Sequence, residues 1–321
     1  MMRVFLIVAG AEALGDLFGR PAIAKPKNFV APEPKPLQVT RSEQVPALLS
    51  GSVALALRLA TGTFVLGWKP VSLEVGPLRF GRPLDPADYA LRLGPIAFRD
   101  EGAPGLRSPS RPLVLYEYES SPFCRKVREA ACVLNVPLEM RPCPGARDGF
   151  SDELERLTGR RTVPYLRDPN AGVDMFESEE IIDYLFDTYG SPKSDPKALW
   201  PLRGSFALWT AAFAALARGL PCSKRDPRAK PDNSRVQPLV LWGYETSPFV
   251  KGVRERLCAL CLPHVVIPCA RGSPNRDALL KKTGSFQVPY LEDPNTGLAL
   301  FESNEIEDYL REVYAVTSSI N

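Results

Sequence analysis

An α/β protein in which one small domain occurs twice is the fold class that the sequence predicts, and three observations predict it. The stretch Leu113 to Tyr189 returns, modified, as Leu239 to Tyr314. The landmarks keep their order in both copies: Ser121-Pro122-Phe123 and Ser247-Pro248-Phe249, Val163-Pro164-Tyr165-Leu166 and Val288-Pro289-Tyr290-Leu291, Phe176-Glu177-Ser178 and Phe301-Glu302-Ser303. Asp183-Tyr184-Leu185 and Asp308-Tyr309-Leu310 close the two units, and the register slips by one residue between them. Spacing held that closely marks one folded unit built twice. The third observation is periodicity, which within a copy reads strand, helix, strand, long turn, two strands, helix.

Leu113 to Tyr118 alternates as a strand, and Pro122 stands at the favoured first turn of a helix. That helix carries Val127, Ala130, Ala131 and Leu134 on one face and stops before Val136-Pro137. Leu138 to Arg141 is a second strand, and Asp152 to Leu157 a short helix closed by Gly159. Pro164 to Arg167 and Val173 to Phe176 form a hairpin around Asp168-Pro169-Asn170-Ala171-Gly172. Glu179 to Tyr189 is the last helix. A strand-helix-strand unit followed by a hairpin and a helix is the thioredoxin-like arrangement. The chain therefore reads as two tandem thioredoxin-like domains, with extra helices and a proline-rich N-terminal extension.

Domain boundaries follow from composition. The two domains take 112–190 and 238–317; 1–46 is a disordered or targeting tail, 47–111 an apolar helix with a short β-like extension, and 191–237 a linker with a second apolar helix. Val4 to Ala9 is too short to span a bilayer, and Ala11-Glu12-Ala13 resembles a cleavage site after an unusually short leader. Six of the 33 prolines fall between Pro21 and Pro46, which reads as an extended tether. Ala47 to Trp68 is long enough to cross a membrane, but Arg58 sits at its middle, at a cost of about 2.5–3.5 kcal/mol. A helix docked on the protein or lying on a membrane surface is the reading favoured over a span. Val71 to Asp100 alternates β-like runs with Gly-Pro and Asp-Pro turns. Phe206 to Ala217 is a shorter apolar helix, stopped at Arg218-Gly219-Leu220-Pro221.

A hydrophobic fraction of 45% with 24% charged residues is that of a soluble globular protein. A net charge of +3, with basic residues interleaved among acids, gives no nucleic-acid footprint. Seven cysteines, an odd number, fit a reducing compartment better than a disulfide framework. Cys258, Cys261 and His264 have a spacing that suggests metal, but no fourth ligand is evident and core packing is the reading taken. Arg160-Arg161, with Arg125, Lys126 and Arg128, is either a carboxylate-attracting surface or a solvated basic face.

With Ser121-Pro122-Phe123-Cys124-Arg125, Val163-Pro164 and Glu177-Ser178, and their counterparts Ser247-Pro248-Phe249, Gln287-Val288-Pro289 and Glu302-Ser303, the sequence resembles the N-terminal, thioredoxin-like domain of glutathione transferases and the related glutaredoxins. The tandem arrangement is similar to a plant and algal plastid family with two such domains. About half of the chain is covered. The resemblance implies glutathione as ligand or co-substrate, a plastid location (otherwise a reducing intracellular compartment), and cis peptides at Val163-Pro164 and Val288-Pro289. It also implies that Val163 and Val288 present their backbone to the cysteinyl part of glutathione, and that Glu177-Ser178 and Glu302-Ser303 receive the γ-glutamyl carboxylate at a helix start. On the residues alone, Val-Pro is equally the beginning of a strand and each serine a helix cap.

The chain departs from its relatives in two ways. Ser121 and Ser247 occupy the position where a redox motif needs its first cysteine; of that motif only Cys124 remains, with Val250 opposite it in the second copy. Dithiol exchange within a motif is therefore excluded, and monothiol exchange through Cys124 is poorly placed. A serine there resembles the serine-type transferases, whose hydroxyl stabilises the glutathione thiolate. The helical domain that walls the electrophile site in transferases is missing, unless the apolar segments 47–68 and 206–217 supply one. Two readings follow: a glutathione-binding protein with Ser121 as thiolate stabiliser, and a non-catalytic module docking on a larger assembly through those segments.

Overall fold

The computed structural model describes residues 105–191 and 199–316 without a break, residues 41–67, the strands between 69 and 99, and parts of 23–35. The apolar run at 4–9 and the Ala11-Glu12-Ala13 site lie outside the described residues. Helix α1 (Val45–Leu57) comes first, then four strands: β1 (Lys69–Val75), β2 (Leu78–Gly81), β3 (Leu91–Leu93) and β4 (Ile96–Arg99). The first repeat holds β5 (Leu113–Glu117), α2 (Pro122–Val133), β6 (Leu138–Pro142), α3 (Ser151–Thr158), β7 (Tyr165–Asp168), β8 (Val173–Met175) and α4 (Ser178–Tyr189). After α5 (Gly204–Leu216) the second repeat follows as β9 (Leu239–Gly243), α6 (Pro248–Ala259), β10 (His264–Pro268), α7 (Pro274–Thr283), β11 (Tyr290–Asp293), β12 (Leu298–Phe301) and α8 (Ser303–Tyr314). The mixed α/β units are the two thioredoxin-like domains the sequence predicts.

Each repeat makes a four-stranded sheet, and the two sheets fuse into one of eight strands, ordered β12-β11-β9-β10-β6-β5-β7-β8. The seam is the antiparallel pair β6–β10, with His264 opposite Met140, Val265 opposite Glu139 and Val266 opposite Leu138. That register is centred on equivalent residues of the two copies. The contact is therefore self-complementary, like the interface of a two-fold dimer written into one chain. It also removes the two strand edges that separate domains would expose.

The landmark motifs close the sheet. Asp168 accepts hydrogen bonds from the hydroxyls of Tyr184 (2.7 Å) and Tyr189, and from the Asn170 N–H at 2.8 Å. Asp293 repeats this with Tyr309 (2.5 Å), Tyr314 (2.6 Å) and the Asn295 N–H (2.8 Å). The Asp-Pro-Asn turn and the Asp-Tyr-Leu helix recur together because each aspartate pins its hairpin to the last helix. Between them Ile181, Leu185, Ile306 and Leu310 are fully buried, each contributing about 1.5–3 kcal/mol.

The apolar run at 47–68 is not one helix. α1 ends at Leu57, and Leu59 and Ala60 then take positive φ, so the chain turns back. Among the described residues no helix is long and apolar enough to cross a membrane. Arg58, completely buried, makes the turn: it donates to both carboxylate oxygens of Glu129 (3.1 and 2.6 Å), to the Thr210 hydroxyl (2.5 Å) and to the Ala207 carbonyl (3.4 Å). Arg218, after α5, does the same toward Glu255, the Ser50 hydroxyl (2.9 Å) and the Ala47 carbonyl (2.6 Å). Gly219 and Leu220 then turn the chain with positive φ, as Leu59 and Ala60 do. The duplicated unit thus includes the helix, and Ala47, Ser50, Ala54 and Arg58 correspond to Ala207, Thr210, Ala214 and Arg218. The helices cross: α1 packs on α6 of the second repeat and α5 on α2 of the first, while they also pack on each other. The extra length of the first unit holds β1–β4, a separate antiparallel sheet ordered β2-β1-β4-β3.

The proline-rich stretch before α1 was expected to be a tether. Its described residues instead lie against the second repeat, where the Ile23 N–H reaches the Asn295 carbonyl (3.0 Å) and Phe29 packs on Tyr309 with ring centroids 5.7 Å apart.

Replacing Arg58 alone by Met strands the Glu129 carboxylate in the interior, and should lower stability by about 3–5 kcal/mol. The double substitution Arg58→Met/Glu129→Leu removes both charges and should recover part of that loss, the remainder reflecting Arg125, which loses its own contact with Glu129 at 3.7 Å, as read from urea unfolding curves.

Candidate functional site

Sheet register brings three loops to one end of each repeat. In the first, β5 runs into Ser121 at the start of α2. β7 lies antiparallel to β5, with Tyr116 opposite Tyr165, so Pro164 sits beside the end of β5. β8 pairs with β7 with Met175 opposite Leu166, which delivers Glu177-Ser178 to the same end. The second repeat repeats this through Tyr290 opposite Trp242 and Tyr290 opposite Phe301.

Both Val163-Pro164 and Val288-Pro289 are cis, as the resemblance implies. Ser121 and Ser247 cap their helices, their hydroxyls accepting the N–H of Cys124 (3.3 Å) and Val250 (3.4 Å). A hydroxyl that accepts one bond still has its own proton to donate. Glu177 and Glu302 both adopt positive φ (63° and 70°), a backbone position costly for any residue but glycine. Neither caps its helix with its side chain, so the first N–H groups of α4 and α8 remain for another acceptor. Tyr165 and Phe176 stack at 4.5 Å behind the first loop, and Arg160 lies over Phe176 at 5.7 Å.

Several residues that the sequence offered as a ligand-attracting basic face are committed elsewhere. Arg161 pairs with Asp152 and Glu155, both at 2.8 Å. Lys126 reaches Glu179 at 2.5 Å, and Arg203 meets the same carboxylate at 3.1 Å. Burial opposes ionisation of Glu179, but these hydrogen bonds hold its pKa below the usual range.

Arg125 and Arg128 turn away from the cleft into a buried charge network between the repeats. Arg128 donates to Glu245 (3.2 Å), to the Glu119 carbonyl (3.1 Å) and to Glu117. Arg254 answers with Glu119 (2.9 Å), the Glu245 carbonyl (3.0 Å) and Glu245 itself, and Lys251 adds a bond to Glu119 (3.1 Å). Each arginine thus binds the glutamate of the other repeat. Glu117 breaks the symmetry, since Gly243 stands at its place and Val250 fills the space a side chain there would need. Burial pushes the Glu117 carboxyl up to about 7, because Arg128 is shared with Glu119 and Glu245, which add repulsion.

Cys124 is completely buried. Burial pushes its thiol up to about 12, with Glu117 adding to the shift and the Ser121 hydroxyl opposing it. At neutral pH it is a thiol without access, which weighs against monothiol exchange. His264 is also buried, with Nδ1 2.9 Å from the Leu262 carbonyl, and its pKa falls to about 4 through loss of solvation. It serves the seam strand β10.

The two clefts differ in what lies over them. In the second, the Gln287 side-chain N–H donates to the Lys35 carbonyl (2.9 Å) and to Glu302 (3.1 Å), and Glu302 accepts the Lys35 N–H (2.7 Å). Gln44 donates to the Ser303 hydroxyl at 3.2 Å. In the first, Glu177 is exposed, and Gly204 stands where the second has Gln44, with open space where a side chain would begin. Lys35, Arg41 and Gln44 were not singled out from sequence, because nothing local marks a partner more than two hundred residues away.

No curated protein matches the chain. The family model for the glutathione S-transferase N-terminal domain matches twice, at residues 115–193 and 241–318.

The raised pKa of Glu117 fixes the sign of a pH effect. Unfolded, the group releases its proton near pH 4.5; folded, it keeps the proton until about pH 7. The folded state therefore binds more protons in that window, and stability falls as pH rises through it. His264, whose pKa falls to about 4, contributes the opposite slope over part of this range, so the Glu117 effect is read as a difference: the stability of the wild type relative to Glu117→Gln should decline from pH 4.5 to 7.5.

The two matches fall on the two copies of the duplicated fold, in the same order and spacing, and support two tandem glutathione S-transferase N-terminal domains in this chain.

Proposed function

We propose that the chain binds glutathione in its first cleft and that Ser121 favours the thiolate of the bound tripeptide. One observation carries this reading: Ser121, the cis Val163-Pro164 loop and the strained Glu177-Ser178 helix start meet at one end of the first sheet with no other segment hydrogen-bonded across them among the described residues. The backbone N–H and C=O of Val163 would pair with the cysteinyl residue as an added strand does. The Ser178 hydroxyl and the free N–H groups of α4 would take the γ-glutamyl carboxylate. The Ser121 proton, not used by the helix cap, would be donated to sulfur, and a hydrogen bond to the charged form favours it. A location in the plastid remains part of this proposal and rests on the resemblance alone.

A second reading has its own observation. α1 and α5 lie side by side with large apolar side chains outward: Leu49, Val53, Trp209 and Phe213 are 48–62% exposed, and the first two correspond to the second two. Such a paired apolar surface supports docking on a larger assembly, with or without ligand binding.

Calorimetric titration with glutathione, followed by turnover of an aryl halide, tests the first reading. Ser178→Ala should weaken binding about tenfold, the worth of a charge-assisted hydrogen bond. Ser121→Ala should leave affinity within a few-fold but lower turnover at least tenfold. Absence of saturable binding sinks the reading, and an unchanged rate removes Ser121 from it.

A further inference from the structure

We infer that the N-terminal segment, described at residues 29–35 and 41–44, is a strap seated in the second cleft in place of a ligand, so that the intact chain offers one glutathione site rather than two. The inference rests on the proposed function for its ligand.

The contacts are those a bound peptide would make. Lys35 offers both its backbone groups to the cleft, the N–H to Glu302 (2.7 Å) and the carbonyl to Gln287 (2.9 Å). Both bonds hold the strap by its main chain, and their partners are the side chains of Glu302 and Gln287 rather than the edge of a strand. Gln44 takes the Ser303 hydroxyl (3.2 Å) at the helix start where a ligand carboxylate would arrive. Gln287, Glu302 and Ser303 are three of the residues expected to hold glutathione in this copy, and all three are engaged.

Anchors on either side keep the strap in place. Phe29 packs on Tyr309, which is itself locked to Asp293. Arg41 bonds to Asp308 (2.5 Å) and Glu305 (2.9 Å) on α8. Pro32 and Pro34 restrict the intervening backbone to extended φ, which lowers the entropy lost on docking. Because α1 continues directly from Gln44 and packs on α6, the strap is tethered beside its cleft. Tethering of this kind gives an effective concentration on the order of millimolar. A free ligand has to displace it.

Among the described residues the first cleft has the outer anchor, Arg203 pairing with Asp183 and Glu179 on α4, but no hydrogen bond at the serine itself. Gly204, equivalent to Gln44, has no side chain to reach Ser178, and no hydrogen bond to the Ser178 hydroxyl or to Glu177 is made by another described segment.

The test uses the full-length chain. Glutathione titration of the wild type should give one site per chain, weakened about tenfold by Ser178→Ala. The strap variant Phe29→Ser/Lys35→Pro/Arg41→Ala/Gln44→Ala should give two, the additional one weakened about tenfold by Ser303→Ala. Two sites in the wild type, or one in the strap variant, overturn the inference. If neither protein binds glutathione, the functional reading fails, and amide hydrogen exchange decides the strap separately. The Lys35 N–H should then exchange at least tenfold faster in Glu302→Ala than in the wild type. An amide equally fast in both overturns the strap.

Discussion

Arg128 and Arg254 lie in the interior between the two repeats, and each pairs with a carboxylate of the other repeat, Glu245 and Glu119 in turn, as well as with one of its own. A lone buried guanidinium or carboxylate costs several kcal/mol, so neither half of this exchange is tolerable without the other. Pulling the domains apart would expose the β6 and β10 edges, but it would also leave these charges with half of their partners. The network therefore sets how the two sheets register. Its position at the ends of β5 and β9, just before Ser121 and Ser247, ties the two helix starts to the same frame. Whatever each cleft does, it does on a platform that the other repeat helps to hold.

The crossed helices extend the same logic outward. Arg58 and Arg218 carry α1 and α5 back to Glu129 and Glu255, and each also borrows a hydroxyl and a carbonyl from the opposite helix. A helix that packs on one repeat while its terminal arginine is buried in the other acts as a clasp. It also covers one face of α2 and of α6, on which α5 and α1 pack.

Much of the fold was legible because its landmarks are local. Ser-Pro, Asp-Pro-Asn and Glu-Ser each mark a cap, an Asx turn or a helix start on their immediate neighbours, and with the strand and helix periodicity between them they sufficed for the thioredoxin-like topology; the cis Val-Pro turns followed from the resemblance alone. The charge network was not legible. Arg125, Lys126 and Arg128 on an opening helix resemble a solvated face, and the partner that buries Arg128 lies 117 residues away. That an apolar helix precedes each copy was legible, but its residue-by-residue correspondence was not: small apolar residues are interchangeable on a packed face, so little besides Arg58 and Arg218 marks the register. The Pro-rich segment read as a tether because composition reports stiffness and solubility, not the presence of a matching cleft.

Differences between the copies fall into a pattern once the structure is in view. Where the first repeat has Glu117 and Cys124 the second has Gly243 and Val250, and this exchange concerns the core: Val250 occupies the volume that the missing side chain at Gly243 leaves. Where the first has Gly204 the second has Gln44, and this exchange concerns the cleft, because the amide of Gln44 reaches the serine that a ligand would use. The backbone frame, by contrast, is kept in both: cis proline, capped helix and the strained Glu177 and Glu302. A cleft that had merely lost its ligand would have no reason to keep a strained residue at about 1–3 kcal/mol. The second cleft retains its shape because a peptide still fills it, and that peptide is part of the same chain.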